Sequence, residues 1–227
     1  MFKNKKALLL DMNSTFMFGE DRFGESEDFS SYYAQIGGMR PSSEINQIIR
    51  SAYAYLEVRY PDEKYRHHFP TLKSAIDAVL EHDIDEAEMN RIIETFAFHE
   101  RGDISDIYQQ ALVKLHERFT LAVVIDIWSP KTLWLEYFDT LNLMPLFSAQ
   151  SFSSDHGMVK PSPKPFQQVL ADLGLPASLA LVIGDSARRD LGGARAAKID
   201  CVLVGGANHP DVVACYDDLL AFCRVVQ

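Results

Sequence analysis

The chain has 227 residues, 47% of them hydrophobic and 11% aromatic, which supports a folded core and excludes a disordered chain. A formal net charge of −10 argues against a nucleic-acid backbone as partner. It suits carboxylates that hold a hard divalent cation, and it suits an ordinary acidic protein equally well.

Three cysteines, Cys201, Cys215 and Cys223, include no CxxC pair, so neither a disulfide framework nor a zinc site is expected. The basic stretch from Lys3 to Lys6 precedes an apolar run that stops at Asp11, too short for a signal-peptide core. No run approaches the roughly 18 apolar residues of a membrane span. The expectation is a soluble cytoplasmic protein with no nucleic-acid and no membrane partner.

Residues 6–11 read as a buried strand, a short continuous apolar run that ends on the carboxylate of Asp11. Residues 12–27 read as a loop carrying Phe16, Phe18 and Phe23, an aromatic cluster that packs over a site or inside the core. From residue 28 to residue 99 the pattern is helical. A first helix stops at Gly37-Gly38. A second opens at Ser43, with Ile45, Ile48, Ile49, Ala52, Tyr53 and Leu56 at helical spacing. A third covers Thr71 to Leu80. A fourth begins at Ile84, with Met89, Ile92, Ile93 and Phe96 on one face. The segment from Tyr60 to Pro70 reads as a polar loop, with His67 and His68 exposed in it.

A further helix, Ile104 to Arg118, leads into a strand that ends on Asp126. A helix over Pro130 to Leu141 follows, then a weaker strand over Leu146 to Phe152 and a helix over Pro165 to Leu173 that stops at Gly174. The strand Leu179 to Gly184 ends on Asp185. A helix over Asp190 to Lys198 precedes a last strand, Ile199 to Val204. Alternating strands and helices predict a doubly wound parallel α/β sheet. Residues 1–15 and 100–227 form this core, and residues 16–99 form an inserted helical subdomain.

Three strands end on Asp11, Asp126 and Asp185. Neighbouring strand tips would gather these acids, and crowded carboxylates need a cation. With oxygen ligands alone, Mg²⁺ is the expected ion. Asp190, five residues after Asp185, can join them. Lys160 is presented from the stiff segment Lys160-Pro161-Ser162-Pro163, where an ammonium would neutralise a nucleophilic carboxylate and hold an anionic substrate. Arg188 and Arg189 read as a solvated helix start, and Trp128 reads equally as site lining or packing.

Asp-x-x-x-Thr after the first strand (Asp11 to Thr15), Lys160-Pro161 before a helix, and Gly184-Asp185-Ser-x-x-x-Asp190 together resemble the haloacid dehalogenase-like hydrolase superfamily. The helical insert resembles its C1-type cap. The resemblance implies a Rossmann-like core and Mg²⁺-dependent hydrolysis of a small phosphorylated metabolite. It makes Asp11 the nucleophile, forming an aspartyl-phosphate. Lys160 becomes the motif lysine and, with Thr15, a substrate contact; Asp126 reads as a substrate contact, as an acid that supports the site from behind, or as a turn former. Asp11, the main-chain carbonyl of Asn13, Asp185 and Asp190 become the metal ligands.

Two positions depart from the pattern. Asn13 stands where the family carries an acid that protonates the leaving group and later activates water. An amide cannot do this, and losing general acid–base catalysis costs on the order of 10²–10⁴ in rate. Ile125 stands where a Ser or Thr hydroxyl normally meets the phosphoryl group. Two alternatives follow: a weakened family member that binds a phosphorylated ligand or a protein, and a 2-haloacid dehalogenase in which Asp11 attacks carbon.

Overall fold

The computed structural model describes residues 2–80 and 82–226; Met1, Glu81 and Gln227, which fall inside the ranges expected for core and insert, lie outside the described residues. Strands β1 (Ala7–Leu10), β2 (Thr120–Ile125), β3 (Phe147–Phe152), β4 (Ala180–Gly184), β5 (Asp200–Leu203) and β6 (Ala214–Cys215) form one sheet. Their order is β3-β2-β1-β4-β5-β6, and each neighbouring pair is parallel. The helices are α1 (Ser30–Gln35), α2 (Ser42–Glu57), α3 (Leu72–Val79), α4 (Glu86–Glu100), α5 (Asp106–His116), α6 (Lys131–Thr140), α7 (Ser153–His156), α8 (Lys164–Leu173), α9 (Gly192–Ala196) and α10 (Leu219–Val226).

Side chains alternate across a strand, and here the alternation sorts them into two apolar layers. Leu8 and Leu10 of β1 and Leu121, Val123 and Ile125 of β2 pack with Leu112, Trp134, Phe138 and Phe222 from α5, α6 and α10. Ala7, Leu9, Ala122, Val124 and Val182 pack with Phe166, Val169 and Ala194 from α8 and α9. The sheet is therefore buried on both faces, as its near-continuous apolar strands require. Among the described residues, no helix is long and apolar enough to cross a membrane.

Helices α1 to α4 build a third apolar cluster, around Phe29, Tyr33, Ile45, Ile49, Leu56, Ile76, Ile92 and Phe96, which Val159 of the loop before α8 joins. The segments entering and leaving this block pair with each other. Phe18 N–H donates to Asp103 O at 3.0 Å, and Asp103 N–H returns to Phe18 O at 2.9 Å. The Arg22 guanidinium ties the same ribbon together through the carbonyls of Gly19, Phe98 and Arg101.

Several elements differ from the sequence reading. The helix expected over Asp190 to Lys198 is a π turn, Ala187–Leu191, followed by the short α9. The Ser186 carbonyl accepts from both Asp190 and Leu191, which widens the turn. Strand β6, helix α7 and helix α10 are additional. Two residues and four residues carry no periodicity, but Leu219, Phe222, Cys223 and Val226 of α10 do stand at helical spacing. The three loop phenylalanines separate: Phe16 stacks on Phe147 in the core, Phe18 lies against Tyr108, and Phe23 stacks on Tyr53 in the helical block.

Gly102 lets the ribbon close, because a Cβ there would stand 2.5 Å from the Phe18 carbonyl oxygen. Backbone rather than a flexible side chain would have to move. Gly102→Ala is expected to cost about 2 kcal/mol, read in a thermal melt as a fall of roughly 4–8 °C in midpoint. A midpoint within about 1 °C of wild type would show that the ribbon yields without cost.

Candidate active site

Strand β1 is central, and the chain runs outward from it in both directions of the sheet, to β2 on one side and β4 on the other. Ligands bind at such a reversal point, beyond the carboxyl ends of the strands. Register decides which tips meet. Leu10 pairs with Val123 of β2 and with Ile183 of β4. Asp185 thus stands one residue beyond the level of Asp11, whereas Asp126 stands two residues beyond it, about 7 Å farther along the strand.

Asp11 is buried at the tip of β1, its N–H bonded to the Ile183 carbonyl at 2.9 Å. Lys160 Nζ lies 2.5 Å from Asp11 Oδ1 and 2.7 Å from Asp190 Oδ1, with all three side chains almost completely shielded from solvent. The Thr15 hydroxyl donates to Asp11 Oδ2 at 3.3 Å. Asp190 Oδ2 accepts from Ser186 N–H at 3.0 Å. Gly184 makes room for that carboxylate, since a Cβ on it would reach within 2.4 Å of Asp190 Oδ2.

Carboxylate oxygens of Asp11, Asp185 and Asp190 all lie within 4.8 Å of one another. Arg189 Nη2 approaches Asp185 Oδ1 at 3.6 Å, too long for a hydrogen bond, and that oxygen is buried with no hydrogen-bond partner among the described residues. Burial raises the pKa of Asp11, which the Lys160 charge opposes. Burial, and then the charge of a neighbouring carboxylate, likewise raises Asp185 and Asp190. Burial works to lower Lys160, but Asp11, Asp190 and Asp126 hold its ammonium charge firmly.

Three carboxylates, those of Asp11, Asp185 and Asp190, converge beside two cations, Lys160 and Arg189, which leaves negative charge in excess. A bound cation would offset that excess, and an all-oxygen donor set suits a hard one. The Asp185 oxygen that accepts no hydrogen bond from the described residues fits the same ion.

The family model for haloacid dehalogenase-like hydrolases matches residues 5–198. The chain belongs to that family. No curated protein matches the sequence. Among solved structures, a 2-haloacid dehalogenase from Pseudomonas syringae pv. Tomato DC3000 shares 21% identity and a TM-score of 0.68, with 98% of each chain covered. A HAD phosphatase from Thermococcus onnurineus shares 18% identity and a TM-score of 0.64, with 97% of each chain covered. The HAD-hydrolase YfnB from Bacillus subtilis, bound to magnesium, shares 19% identity and a TM-score of 0.58 over 99% of this chain and 100% of its own. At these identities the likeness establishes the Rossmann-like fold.

In this haloacid dehalogenase-like hydrolase, not every expected site residue takes its expected place. Asp126 leaves the acidic cluster. Its Oδ2 accepts from the Tyr60 hydroxyl at 2.6 Å and from Lys160 N–H at 2.9 Å, so it faces the helical block rather than a cation. The register explains this, since Asp126 stands the farthest out. Thr15 turns its hydroxyl to Asp11 instead of outward. Asn13 contributes a side-chain oxygen that is buried with no hydrogen-bond partner among the described residues. Ile125 is buried in the layer formed with α5 and α6, so its side chain belongs to the core.

Arg189, read from sequence as a solvated helix start, is half-buried beside Asp185; the i, i+4 spacing of the pair was the available signal. Arg188 alone stays exposed. Tyr60 and His67 are also not idle loop residues, for His67 Nδ1 meets the fully buried Ser162 hydroxyl at 3.3 Å. His68 remains exposed.

Glu100 closes α4 against the loop after Asp126. Its carboxyl accepts from Trp128 N–H at 2.6 Å, Ser129 N–H at 3.0 Å and the Ser129 hydroxyl at 2.5 Å. Burial nevertheless pushes this carboxyl from its ordinary 4.5 up to about 7. The folded chain keeps the proton that the unfolded chain releases above pH 4.5, so stability from this group falls as pH rises toward 7. The loss is on the order of 3 kcal/mol. Glu100→Gln cannot titrate, so the stability difference between wild type and variant should shrink by that amount across this window in urea melts. A pH-independent difference would show that Glu100 is ionised throughout.

Proposed function

We propose that the chain is a divalent-cation-dependent phosphatase, with Mg²⁺ as the working ion and a small phosphorylated metabolite as substrate. One observation carries this reading: three carboxylates converge with a single buried lysine at the tip of β1. Asp11 and Asp185 would hold the ion, together with the main-chain carbonyl of Asn13, and Asp190 would support it. When bound, the ion supplies charge neutralisation for the phosphoryl group.

The chain's own residues perform the remainder. Lys160 orients Asp11 and offsets the negative charge that gathers as the substrate approaches. Thr15 fixes the second Asp11 oxygen. An Asp11 oxygen attacks phosphorus, the bond to the leaving oxygen breaks, and an aspartyl-phosphate forms on Asp11. Water then attacks that phosphorus, which releases phosphate and restores the carboxylate. Asn13 cannot donate the proton that the leaving oxygen needs, so solvent must supply it, and substrates with acidic leaving groups react best. The helical block acts as a cap over this chemistry.

A weakened binding protein is the second reading, favoured by the pairing of Asn13 with Ile125 at the two positions where catalysis needs a proton and a hydroxyl. A panel of phosphate esters with Mg²⁺ tests both. Turnover should be slow for wild type, abolished by Asp11→Asn and removed by chelation. Asn13→Asp should raise kcat about 10²-fold or more for alkyl phosphates. Release of chloride from 2-haloacids without metal, and no phosphate release from any ester, would overturn the phosphatase reading.

A further inference from the structure

The Oδ2 atom of Asp126 joins three segments that are far apart in sequence. It accepts the Tyr60 hydroxyl from the helical block and the main-chain N–H of Lys160 from the loop at residues 157–163, and it is itself carried by the end of β2. The Lys160 side chain then continues to Asp11 and Asp190. A chain of polar contacts therefore runs from the helical block to the proposed nucleophile.

A separate set of contacts holds the same loop to the same block. Phe69 N–H donates to the Gly157 carbonyl at 2.8 Å, and Val159 N–H donates to the Arg66 carbonyl at 3.0 Å. Val159 packs into the apolar cluster of the helical block, although it lies next to Lys160 in sequence. The Tyr60 ring is enclosed edge-on by Phe69 and Trp128, each with centroids 5.8 Å away, and by the Arg188 and Arg189 guanidinium groups at 6.0 Å. These contacts hold the ring with its hydroxyl on Asp126 while the block is seated.

We propose that Tyr60 is a positioning residue: through Asp126 it fixes the loop that carries Lys160, so the ammonium reaches Asp11 only when the helical block is seated. The proposal rests on the hydrolase reading of Asp11 and Lys160. Opening the block breaks the Tyr60–Asp126 bond and the two main-chain bonds to residues 157 and 159 together. The site therefore comes apart when it opens and assembles when it closes. The phenol has a further effect. With Tyr60 and the Lys160 N–H both donating to it, the Asp126 carboxylate is screened from an anionic substrate that it would otherwise repel.

Tyr60→Phe removes only the hydroxyl. With an aryl phosphate and Mg²⁺, kcat should fall about 10- to 100-fold, the range for losing a hydrogen bond to a charged group, with KM changed less than about threefold. Asp126→Ala should show a similar loss, and the double variant should be no slower than the worse single variant, because both act through one contact. Tyr53→Phe, which keeps the ring packed in the block and loses a hydroxyl bonded at 3.5 Å to Glu57, one turn along the same helix, should match wild type.

Amide hydrogen exchange gives a readout that needs no substrate. In Tyr60→Phe, the amides of Val159 and Lys160 should exchange faster than in wild type, while those of β1 stay unchanged. Unchanged exchange at residues 157–162, or additive kinetic losses in the double variant, would overturn the proposal. If wild type hydrolyses no ester but the exchange change is seen, the hydrolase reading falls and the positioning role of Tyr60 stands.

Discussion

The ammonium of Lys160, held between Asp11 and Asp190 and shielded from solvent, is the contact on which the site depends. A charge removed from solvent is tolerable only when it is paired and hydrogen-bonded, and removing one partner from such a group costs several kcal/mol. The triad therefore constrains three places at once: the tip of β1, the π turn after β4, and the proline-flanked loop before α8. Each must be in place for the other two to be satisfied. The widened turn at Ala187–Leu191 answers that demand by carrying the Asp190 carboxylate back over Gly184, the position where a side chain would collide with it.

The sheet supplies the coarse placement. Parallel register staggers the three strand-end carboxylates, and the stagger divides their duties. Asp11 and Asp185, nearly level, share a cation-sized space; Asp126, farther out, meets the helical block instead. The division follows from the number of residues each strand adds past its last pairing partner, not from any difference in the chemistry of the three side chains.

Much of this was legible in the sequence. Apolar runs that stop on Asp11, Asp126 and Asp185 marked three strands of a parallel sheet, and the spacing from Asp185 to Asp190 marked a fourth acid. What was not legible depends on three-dimensional register. Nothing in the run Val123-Val124-Ile125-Asp126 tells how far that strand extends beyond β1, so Asp126 could not be separated from the acids that cluster. Tyr60, Glu100 and Arg189 lay in stretches whose polarity resembles that of any exposed surface. Their roles come from partners 66, 28 and 4 residues away, and only the last of these separations leaves a local trace. The apolar stripe of α10, by contrast, was present in the sequence as ordinary helical spacing.

The ribbon formed by Phe18 and Asp103 gives the molecule a modular joint. The two residues are paired across an antiparallel bridge, so the chain leaves the sheet and returns to it at one point, some 85 residues apart in sequence but adjacent in space. Such a joint makes the length of what lies between irrelevant to the sheet. A different excursion could be spliced at the same bridge, or a tight turn could replace it, without disturbing the pairing of β1 with β2. The sheet and the body that covers its strand tips are thus separable in inheritance, provided that whatever replaces the body brings its own support for the loop that carries Lys160.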